Sequence, residues 1–178
     1  VPVFIVSATM IVASTSFLLD NRLNDVWAEY FDERTEVRVH SDFVRENLTT
    51  NNTISFSLDS GEEGGISDPT FLRTTENFAQ WLQAQPEVIH VATYTDIMKR
   101  LNKTMHGDDP AWYKLPEDRD LAAQYLLLYE FSLPFGLDTN NLLDAGKSST
   151  RLTATVADSS TDNILGLQQR SQQWLREN

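Results

Sequence analysis

The sequence HGDDP (residues 106–110) holds the most notable grouping of His and carboxylate side chains in the chain. Imidazole and carboxylate groups this close together, His106, Asp108 and Asp109, can ligate a metal ion, and His106 with Asp108 could serve a hydrolase. The same segment is typical of a loop after a helix, with Gly107 at the C-cap and Asp-Asp-Pro forming a turn. We favour the loop and keep the metal site and the hydrolase as alternatives.

Other signatures of catalysis are absent from the sequence. His40 and His90 stand apart from other candidate ligands, and no G-x-S-x-G nucleophile elbow occurs. The segment GEEGG (61–65) places two carboxylates where a phosphate loop would bind its anion, so repulsion excludes that function. Because the chain has no Cys, it has no disulfide, no thiolate zinc site and no Cys nucleophile. We therefore expect no enzymatic activity, no catalytic or metal-binding residues and no cofactor.

The length and the charge of the chain exclude further classes of function. The 178 residues are enough for one domain with a real core, or for two small domains. Acidic residues outnumber basic ones 26 to 14, which gives a net charge of -12. Nucleic-acid binding needs clustered Lys and Arg, and this sequence has no such cluster. The same charge argues against electrostatic docking on an anionic membrane surface.

The N-terminal segment VPVFIVSATMIVASTSFLL (1–19) carries no charged residue. A membrane-spanning helix needs about 20 mostly apolar residues, so we predict that residues 1–19 are the end of a transmembrane helix. A buried helix in a soluble domain is the alternative. Because the chain begins with Val1 and not with Met, we expect it to be a piece of a longer protein.

Residues 20–50 are predicted to form a helical connector. Apolar residues recur there at the spacing of three and four that is typical of amphipathic helices. One set predicts a helix that leaves the membrane and consists of Leu23, Trp27, Tyr30 and Phe31. A second set indicates another short helix and consists of Val37, Phe43 and Leu48.

From residue 51 onward, strand and helix patterns alternate. Period-two alternation or a high density of β-branched residues predicts strands at 52–60, 88–93 and 151–157. Asp68 and Pro69 predict the start of one helix, and Asp158 or Ser159 the start of a final one. The predicted core-facing stripes are Leu72, Thr75, Phe78, Ala79 and Leu82 in the first helix, and Ile164, Leu167, Ser171, Trp174 and Leu175 in the second.

This order of elements predicts an α+β fold of the ferredoxin-like type, a split βαβ plait with two layers. The plait would span residues 51–178, with a helical insertion at 94–147. In such a plait the first strand pairs with the third and with a fourth, which this chain lacks. An unpaired first strand is a costly open edge, so we expect the parent chain to supply the fourth strand after Asn178.

The insertion contains the most hydrophobic interior run of the chain, LAAQYLLLYEFSL (121–133), within a predicted helix at 117–133. A helix at 96–105, with Ile97, Leu101 and Met105 inward, and a loop at 106–116 precede it. A helix that is apolar nearly all round must be buried in a core, a partner or lipid. Aromatic residues beside aliphatic ones suit a greasy ligand or a partner helix, although ordinary core packing is the commoner explanation. The candidates for lining a hydrophobic path are Trp112, Tyr113, Tyr125, Leu126, Tyr129 and Phe135.

Several motifs of this chain resemble those of exporters of the resistance–nodulation–division (RND) superfamily. The nearest branch is the MMPL-like "predicted exporter" branch, which includes hopanoid transporters. The matching motifs occur in order over most of residues 20–157. They are NDVWAEYFDE (24–33), NLT (47–49), SGEEGGISDP (60–69), WLQAQPEVIHV (81–91), MKRLNKTMHGDDPAWYKLP (98–116), AAQYLLLYEFSLPFGLD (122–138) and GKSSTR (146–151).

The resemblance implies that the chain is one of the two large extracytoplasmic loops that form the porter domain of such an exporter. It implies an integral protein of the cell (inner) membrane, with this segment on the periplasmic side. It also implies proton-driven transport of lipids or other hydrophobic molecules by a homo-oligomeric parent transporter. The proton-relaying carboxylates of the family lie outside this chain. The alternative is a membrane-anchored lipid-binding or protein-interaction module with no transport role.

Overall fold

The computed structural model describes residues 2–16, 30–47, 52–157 and 160–178. Within them the chain is an α+β protein with six α-helices and one antiparallel sheet, which agrees with the predicted mixture of elements. Two short 3-10 turns lie at Gly65–Ser67 and Pro110–Trp112. The elements are α1 (Pro2–Ser16), α2 (Glu36–Asn47), β1 (Thr53–Asp59), α3 (Pro69–Gln83), β2 (Val88–Ala92), α4 (Tyr94–Met105), α5 (Arg119–Ser132), β3 (Ser149–Val156) and α6 (Thr161–Glu177).

The sheet has the strand order β1-β3-β2, and both pairings are antiparallel. The register of β1 with β3 runs without interruption from Thr53↔Thr155 to Asp59↔Ser149. The prediction that the first strand pairs with the third is therefore confirmed. The other edge of β1 has no strand beside it among the described residues. In β2 the register shifts between Val88 and His90, which is a β-bulge.

One face of the sheet packs on α3 and α6 and forms the main core. Asp68 starts α3 because its carboxylate accepts hydrogen bonds from the amides of Thr70 (2.7 Å) and Phe71 (3.2 Å), and Pro69 occupies the first turn. The predicted stripe of α3 is buried at all five positions. The α6 stripe faces the same way, with Leu167 and Ser171 buried and its other members half-buried. The N-cap of α6 is Ser160; the predicted caps, Asp158 and Ser159, lie outside the described residues.

The opposite face of the sheet is polar, and no helix from the described residues covers most of it. Arg151, Thr153 and Thr155 alternate on β3 with buried residues, as the period-two pattern predicts. Ser55 of β1 lies opposite Thr153, and their hydroxyl oxygens are 3.3 Å apart. His90 and Ala92 of β2 are exposed on this side. The polar face therefore offers side chains from all three strands.

A second hydrophobic cluster joins α4, α5 and the 3-10 turn at Gly65–Ser67. Its buried residues are Ile66, Leu72, Tyr94, Met98, Ala122, Tyr125, Leu126 and Leu143. The predicted inward set of α4 is partly wrong: Ile97 and Leu101 are half-buried, and Met105 is 55% exposed. The helix begins at Tyr94, two residues earlier than predicted, and its buried face follows Tyr94 and Met98 one turn apart.

The N-terminal helix α1 exposes its side chains from Val3 to Ser16 among the described residues. None of the described helices is both long and apolar enough to cross a membrane. Helix α2 lies where a second short connector helix was predicted. Leu23 and Trp27, of the first predicted connector helix, lie outside the described residues.

Candidate functional site

A groove of about 890 Å³ lies where the polar face of β2 and β3 meets α4 and the segment after α5. It combines aromatic, aliphatic and cationic side chains in one concave surface. Its volume falls within the range of about 300–1,000 Å³ that is common for small-molecule sites. The lining residues are Gln83, His90, Val91, Ala92, Thr93, Asp96, Ile97, Arg100, Leu101, Thr104, Tyr113, Tyr129, Asn141, Leu142, Arg151 and Thr153.

The strand β2 and the helix α4 form one continuous wall of this groove. The backbone passes from Ala92 at the end of β2 directly to Thr93, the N-cap of α4, whose hydroxyl accepts from the Thr95 amide (3.4 Å). The outer edge of β2 is covered by the side chain of Gln83, which donates to the Ile89 carbonyl and accepts from the Val91 amide, both at 3.0 Å. Gln83 thus satisfies backbone groups that would otherwise be unpaired at a strand edge.

A polar network fixes α4 against α3. The Lys99 ammonium lies 2.8 Å from Glu76 Oε1 and 3.0 Å from Asp96 Oδ1. Glu76 also accepts from the Thr95 hydroxyl at 2.6 Å. Burial alone would raise the pKa of the Glu76 carboxyl, but the hydrogen bonds from Lys99, Thr95 and Gln80 outweigh it and leave the pKa lowered. The pair is thus charged at neutral pH and holds α4 in place.

The same lysine also positions one aromatic wall of the groove. The Lys99 ammonium lies 5.4 Å from the centre of the Tyr113 ring, within the range of a cation–π contact. Burial lowers the pKa of Lys99, yet hydrogen bonds to Glu76 and Asp96 raise it above its usual value overall. Tyr113 is therefore placed beside a permanent charge.

The opposite wall is held by a clasp between α5 and the loop before β3. Glu130 of α5 accepts from the Lys147 ammonium at 2.6 Å and from the Thr139 hydroxyl at 3.2 Å. Leu142 is fixed to the sheet because its carbonyl accepts from the Arg151 amide at 2.8 Å. These contacts keep Leu142 at the groove rather than in solvent.

The turn that follows this clasp is organised by Asp144. Its carboxylate accepts from the amides of Ser149 (2.7 Å), Ser148 (2.8 Å) and Gly146 (3.2 Å), and from the Ser148 hydroxyl (2.9 Å). The Ser149 amide and these other donors lower the pKa of Asp144 to about 2, although desolvation partly opposes them. The turn therefore depends on an ionised carboxylate.

The six residues predicted to line a hydrophobic path lie in different places. Tyr113 and Tyr129 line the groove. Tyr125 and Leu126 belong to the second hydrophobic cluster, where ordinary core packing accounts for them. The Tyr125 hydroxyl donates to Asn102 Oδ1 at 3.1 Å, and Asn102 Nδ2 donates to the Lys114 carbonyl at 2.9 Å.

The other two predicted residues, Trp112 and Phe135, lie on the surface and do not line the groove. Trp112 stacks on His106 with ring centres 3.6 Å apart. The Lys114 ammonium lies 4.9 Å from the centre of the Trp112 ring. Phe135 is fully exposed in the segment after α5.

The outward face of α5 is apolar and exposed, which is the feature that the sequence pattern did not resolve. Leu127, Leu128 and Phe131 point away from the second cluster, and Phe131 is 79% exposed. The helix buries only one side, with Ala122, Tyr125 and Leu126. Exposed apolar surface of this kind marks contact with a partner, a ligand or lipid.

The segment HGDDP has local structural roles. The His106 ring Nδ1 is 2.8 Å from the Asn102 carbonyl oxygen, and Asp108 accepts from the Thr104 hydroxyl at 3.2 Å. Asp109 caps the next turn by accepting from the Ala111 amide at 2.9 Å. Gly107 adopts φ 70° directly after the α4 C-cap, as a helix-ending loop requires. Across the described parts of the chain, no three His or carboxylate side chains are grouped in a way that could hold a metal ion.

Two groove residues had no signal in the sequence. Arg100 of α4 and Arg151 of β3 are far apart in the chain and line the same groove only because the insertion folds back on the sheet. Neither makes an ion pair with another described residue.

Comparison of the chain with protein-family models, curated proteins and solved structures gives no significant match.

Proposed function

We propose that this chain is the porter-domain segment of an RND-superfamily exporter of the MMPL-like branch, and that it moves lipids or other hydrophobic molecules. The observation that carries the proposal is the groove. Its walls combine two aromatic rings, Tyr113 and Tyr129, with the aliphatic side chains of Ile97, Leu101 and Leu142. A concave surface of this kind accepts a greasy molecule while polar groups at its rim fix the orientation.

The sheet order supports the finer assignment of a ferredoxin-like plait. In a split βαβ plait the third strand lies between the first and the second, and it runs antiparallel to both. The order β1-β3-β2 has this arrangement. The proposed fourth strand would pair with the free edge of β1, from Thr53 to Asp59, and would remove that open edge.

The membrane setting is part of the same proposal. The exposed and uncharged surface of α1 suits the end of a transmembrane helix that continues in the parent chain. The groove domain would then lie on the periplasmic side of the inner membrane, in a homo-oligomeric transporter. Transport would proceed by changes in domain packing, with no covalent chemistry and no cofactor.

The first test is hydrophobic ligand binding by the purified chain. We expect the wild-type chain to bind a fluorescent acyl-chain probe, and Tyr113→Ser and Tyr129→Ser to weaken that binding several-fold. The matched control is Leu165→Ser, which removes an exposed apolar side chain from α6, on the other side of the sheet. Equal binding by all four proteins would overturn the groove as a hydrophobic path.

The parent reading frame gives the second test. If a strand-like segment and then a group of hydrophobic spans follow Asn178 in that frame, the exporter proposal is supported, and charged residues within those spans are the place to look for proton coupling. A frame with a single spanning helix would contradict the exporter.

That second outcome would favour a membrane-anchored lipid-binding or protein-interaction module. The exposed face of α5, formed by Leu127, Leu128 and Phe131, is the observation that favours this alternative. Such a face could dock a partner helix or rest against lipid without any transport. Substitution of these residues would then abolish partner binding and leave the groove ligand unaffected.

A further inference from the structure

The groove carries an excess of positive charge in a chain that is otherwise strongly acidic. Arg100 and Arg151 both line it, from different elements, and neither has an ion-pair partner among the described residues. The net charge of the whole chain is -12. Two guanidinium groups that face one groove repel each other, and a bound anion would replace that repulsion with two attractions.

The acidic side chain at the groove does not cancel this charge. Asp96 lies 3.0 Å from the Lys99 ammonium, so its carboxylate is already paired with a cation. Glu76 holds the same lysine from the α3 side. One lysine balances only one of these two carboxylates, so Lys99, Arg100 and Arg151 together with Glu76 and Asp96 leave a net charge of +1 at the groove, which favours an anionic ligand.

Uncharged donors complete the polar part of the groove. Thr93, Thr153 and Asn141, whose side chains carry uncharged donors, are among its lining residues. A guanidinium offers a planar fork of N–H donors that matches the oxygen atoms of phosphate or carboxylate groups. The polar part therefore suits an oxyanion better than it suits a neutral sugar or an amine.

The remaining lining residues are apolar. Ile97, Leu101 and Leu142 supply aliphatic surface, and Tyr113 and Tyr129 supply two rings. An oxyanion alone would leave this surface without a partner. A ligand that uses both parts has a charged head and a hydrophobic tail.

We propose that the groove binds one molecule of an anionic amphiphile. Its phosphate or carboxylate head lies between Arg100 and Arg151, and its acyl chain lies on the aliphatic and aromatic residues. The proposal rests on the proposed function, because it names the substrate class of that same groove. It adds a selectivity for negative charge that a purely hydrophobic path would not have.

The test compares three probes by isothermal titration calorimetry, each below its critical micelle concentration where it has one. Dodecyl phosphate is the anionic amphiphile, dodecyl maltoside is a neutral amphiphile with the same chain, and inorganic phosphate is the head group alone. The variants are Arg100→Gln, Arg151→Gln and the control Arg73→Gln, which removes a positive charge from the exposed side of α3, outside the groove.

We expect dodecyl phosphate to bind at least tenfold more tightly than either other probe. Arg100→Gln and Arg151→Gln should each weaken its binding about tenfold or more, because each removes a charge-assisted contact. Neither variant should change the binding of dodecyl maltoside. Arg73→Gln should leave the binding of both dodecyl phosphate and dodecyl maltoside unchanged.

Three other results separate the possible failures. Equal affinity for the anionic and the neutral amphiphile, unaffected by either arginine substitution, would overturn the charge selectivity and leave the proposed hydrophobic path standing. Equal affinity for inorganic phosphate and dodecyl phosphate would overturn the amphiphile, since the tail would contribute nothing. Binding of none of the three probes would overturn this inference and remove support from the proposed function as well.

Discussion

Two buried tyrosines of the second cluster offer a matched pair of substitutions with opposite expected effects. Tyr94 is 0% exposed and Tyr125 is 3% exposed. The Tyr125 hydroxyl donates to Asn102 Oδ1 at 3.1 Å, whereas the Tyr94 hydroxyl has no hydrogen-bond partner among the described residues. Replacing each by Phe removes one oxygen and keeps the ring, so packing is nearly unchanged.

The expected change in the free energy of unfolding depends on whether removal of the hydroxyl leaves another buried polar group without a hydrogen bond. In Tyr125→Phe, the carboxamide oxygen of Asn102, a residue that is only 2% exposed, loses its donor in a dry environment. Such an unsatisfied buried acceptor costs about 1–3 kcal/mol. In Tyr94→Phe, the only interaction lost is a contact with the Ser67 side chain that falls short of hydrogen-bond geometry, and a poorly satisfied buried hydroxyl disappears. We therefore expect that variant to be unchanged, or more stable by up to about 1 kcal/mol.

Urea denaturation of the wild-type chain and both variants measures these differences, since a shift of the midpoint at constant slope reports a change in stability. Burial raises the pKa of both tyrosines, so both are neutral at the pH of such an experiment. Equal destabilisation by the two substitutions would refute the reasoning, and so would a larger loss in Tyr94→Phe. Ligand binding should survive Tyr125→Phe, because this residue is part of the core and not of the groove.

Three further substitutions test contacts that stabilise the turns and helices of the domain. Gly65→Ala should cost about 1–3 kcal/mol of unfolding free energy in the same denaturation assay, because an added Cβ would overlap the Ser60 hydroxyl oxygen and lie 2.8 Å from its Cβ. Lys99→Met should cost about 2 kcal/mol, because it leaves the largely buried Glu76 carboxylate without its cation. Asp144→Asn should flatten the acid dependence of thermal stability: the pKa of this carboxyl is about 2 in the folded chain, against an ordinary value of 3.8, so the group stabilises above about pH 4 and its contribution is lost as pH falls toward 2.

The first two of these substitutions have a control of the same chemical type. Gly166→Ala adds a methyl group in α6, where the nearest contact is an ordinary 3.5 Å to Arg170, and should be neutral or stabilising. Lys103→Met removes a lysine of α4 that has no ion pair within the described chain, and should cost little. If Lys103→Met destabilised as much as Lys99→Met, the network would not be the cause. An unchanged acid profile in Asp144→Asn would assign the pH dependence to other carboxylates.

The sequence predicted α3 almost completely because three independent signals agree there. Asp68 and Pro69 define its start, a regular apolar stripe defines its buried face, and Pro86 lies just beyond its end at Gln83. Strands β1 and β3 were predicted equally well, because one face of each is more buried than the other, whereas β2 was predicted from its β-branched residues because its bulge interrupts the alternation. In regularly alternating strands period and burial carry the same information.

The insertion could not be predicted to the same depth. In α5 apolar residues occupy positions on every side of the helix, so periodicity gives no phase, and only the structure shows that Tyr125 is buried while Phe131 is exposed. The groove depends on how that insertion returns to the sheet. Arg100 and Arg151 are unremarkable surface residues when each is considered with its own neighbours in sequence, and only the tertiary structure places both on one groove.

The bulge in β2 makes the length of that strand adjustable. Val88 and Val91 both face the core although they are three positions apart, a spacing that would put them on opposite faces of a regular strand. This is possible because Ile89 is the extra residue of the shifted register. Deletion of this one residue would restore strict alternation, and every remaining side chain would keep its present face. His90 and Ala92 would stay on the groove, and the two valines would stay in the core. This wall of the groove can therefore accept a change of one residue in chain length, whereas the uninterrupted register of β1 with β3 cannot.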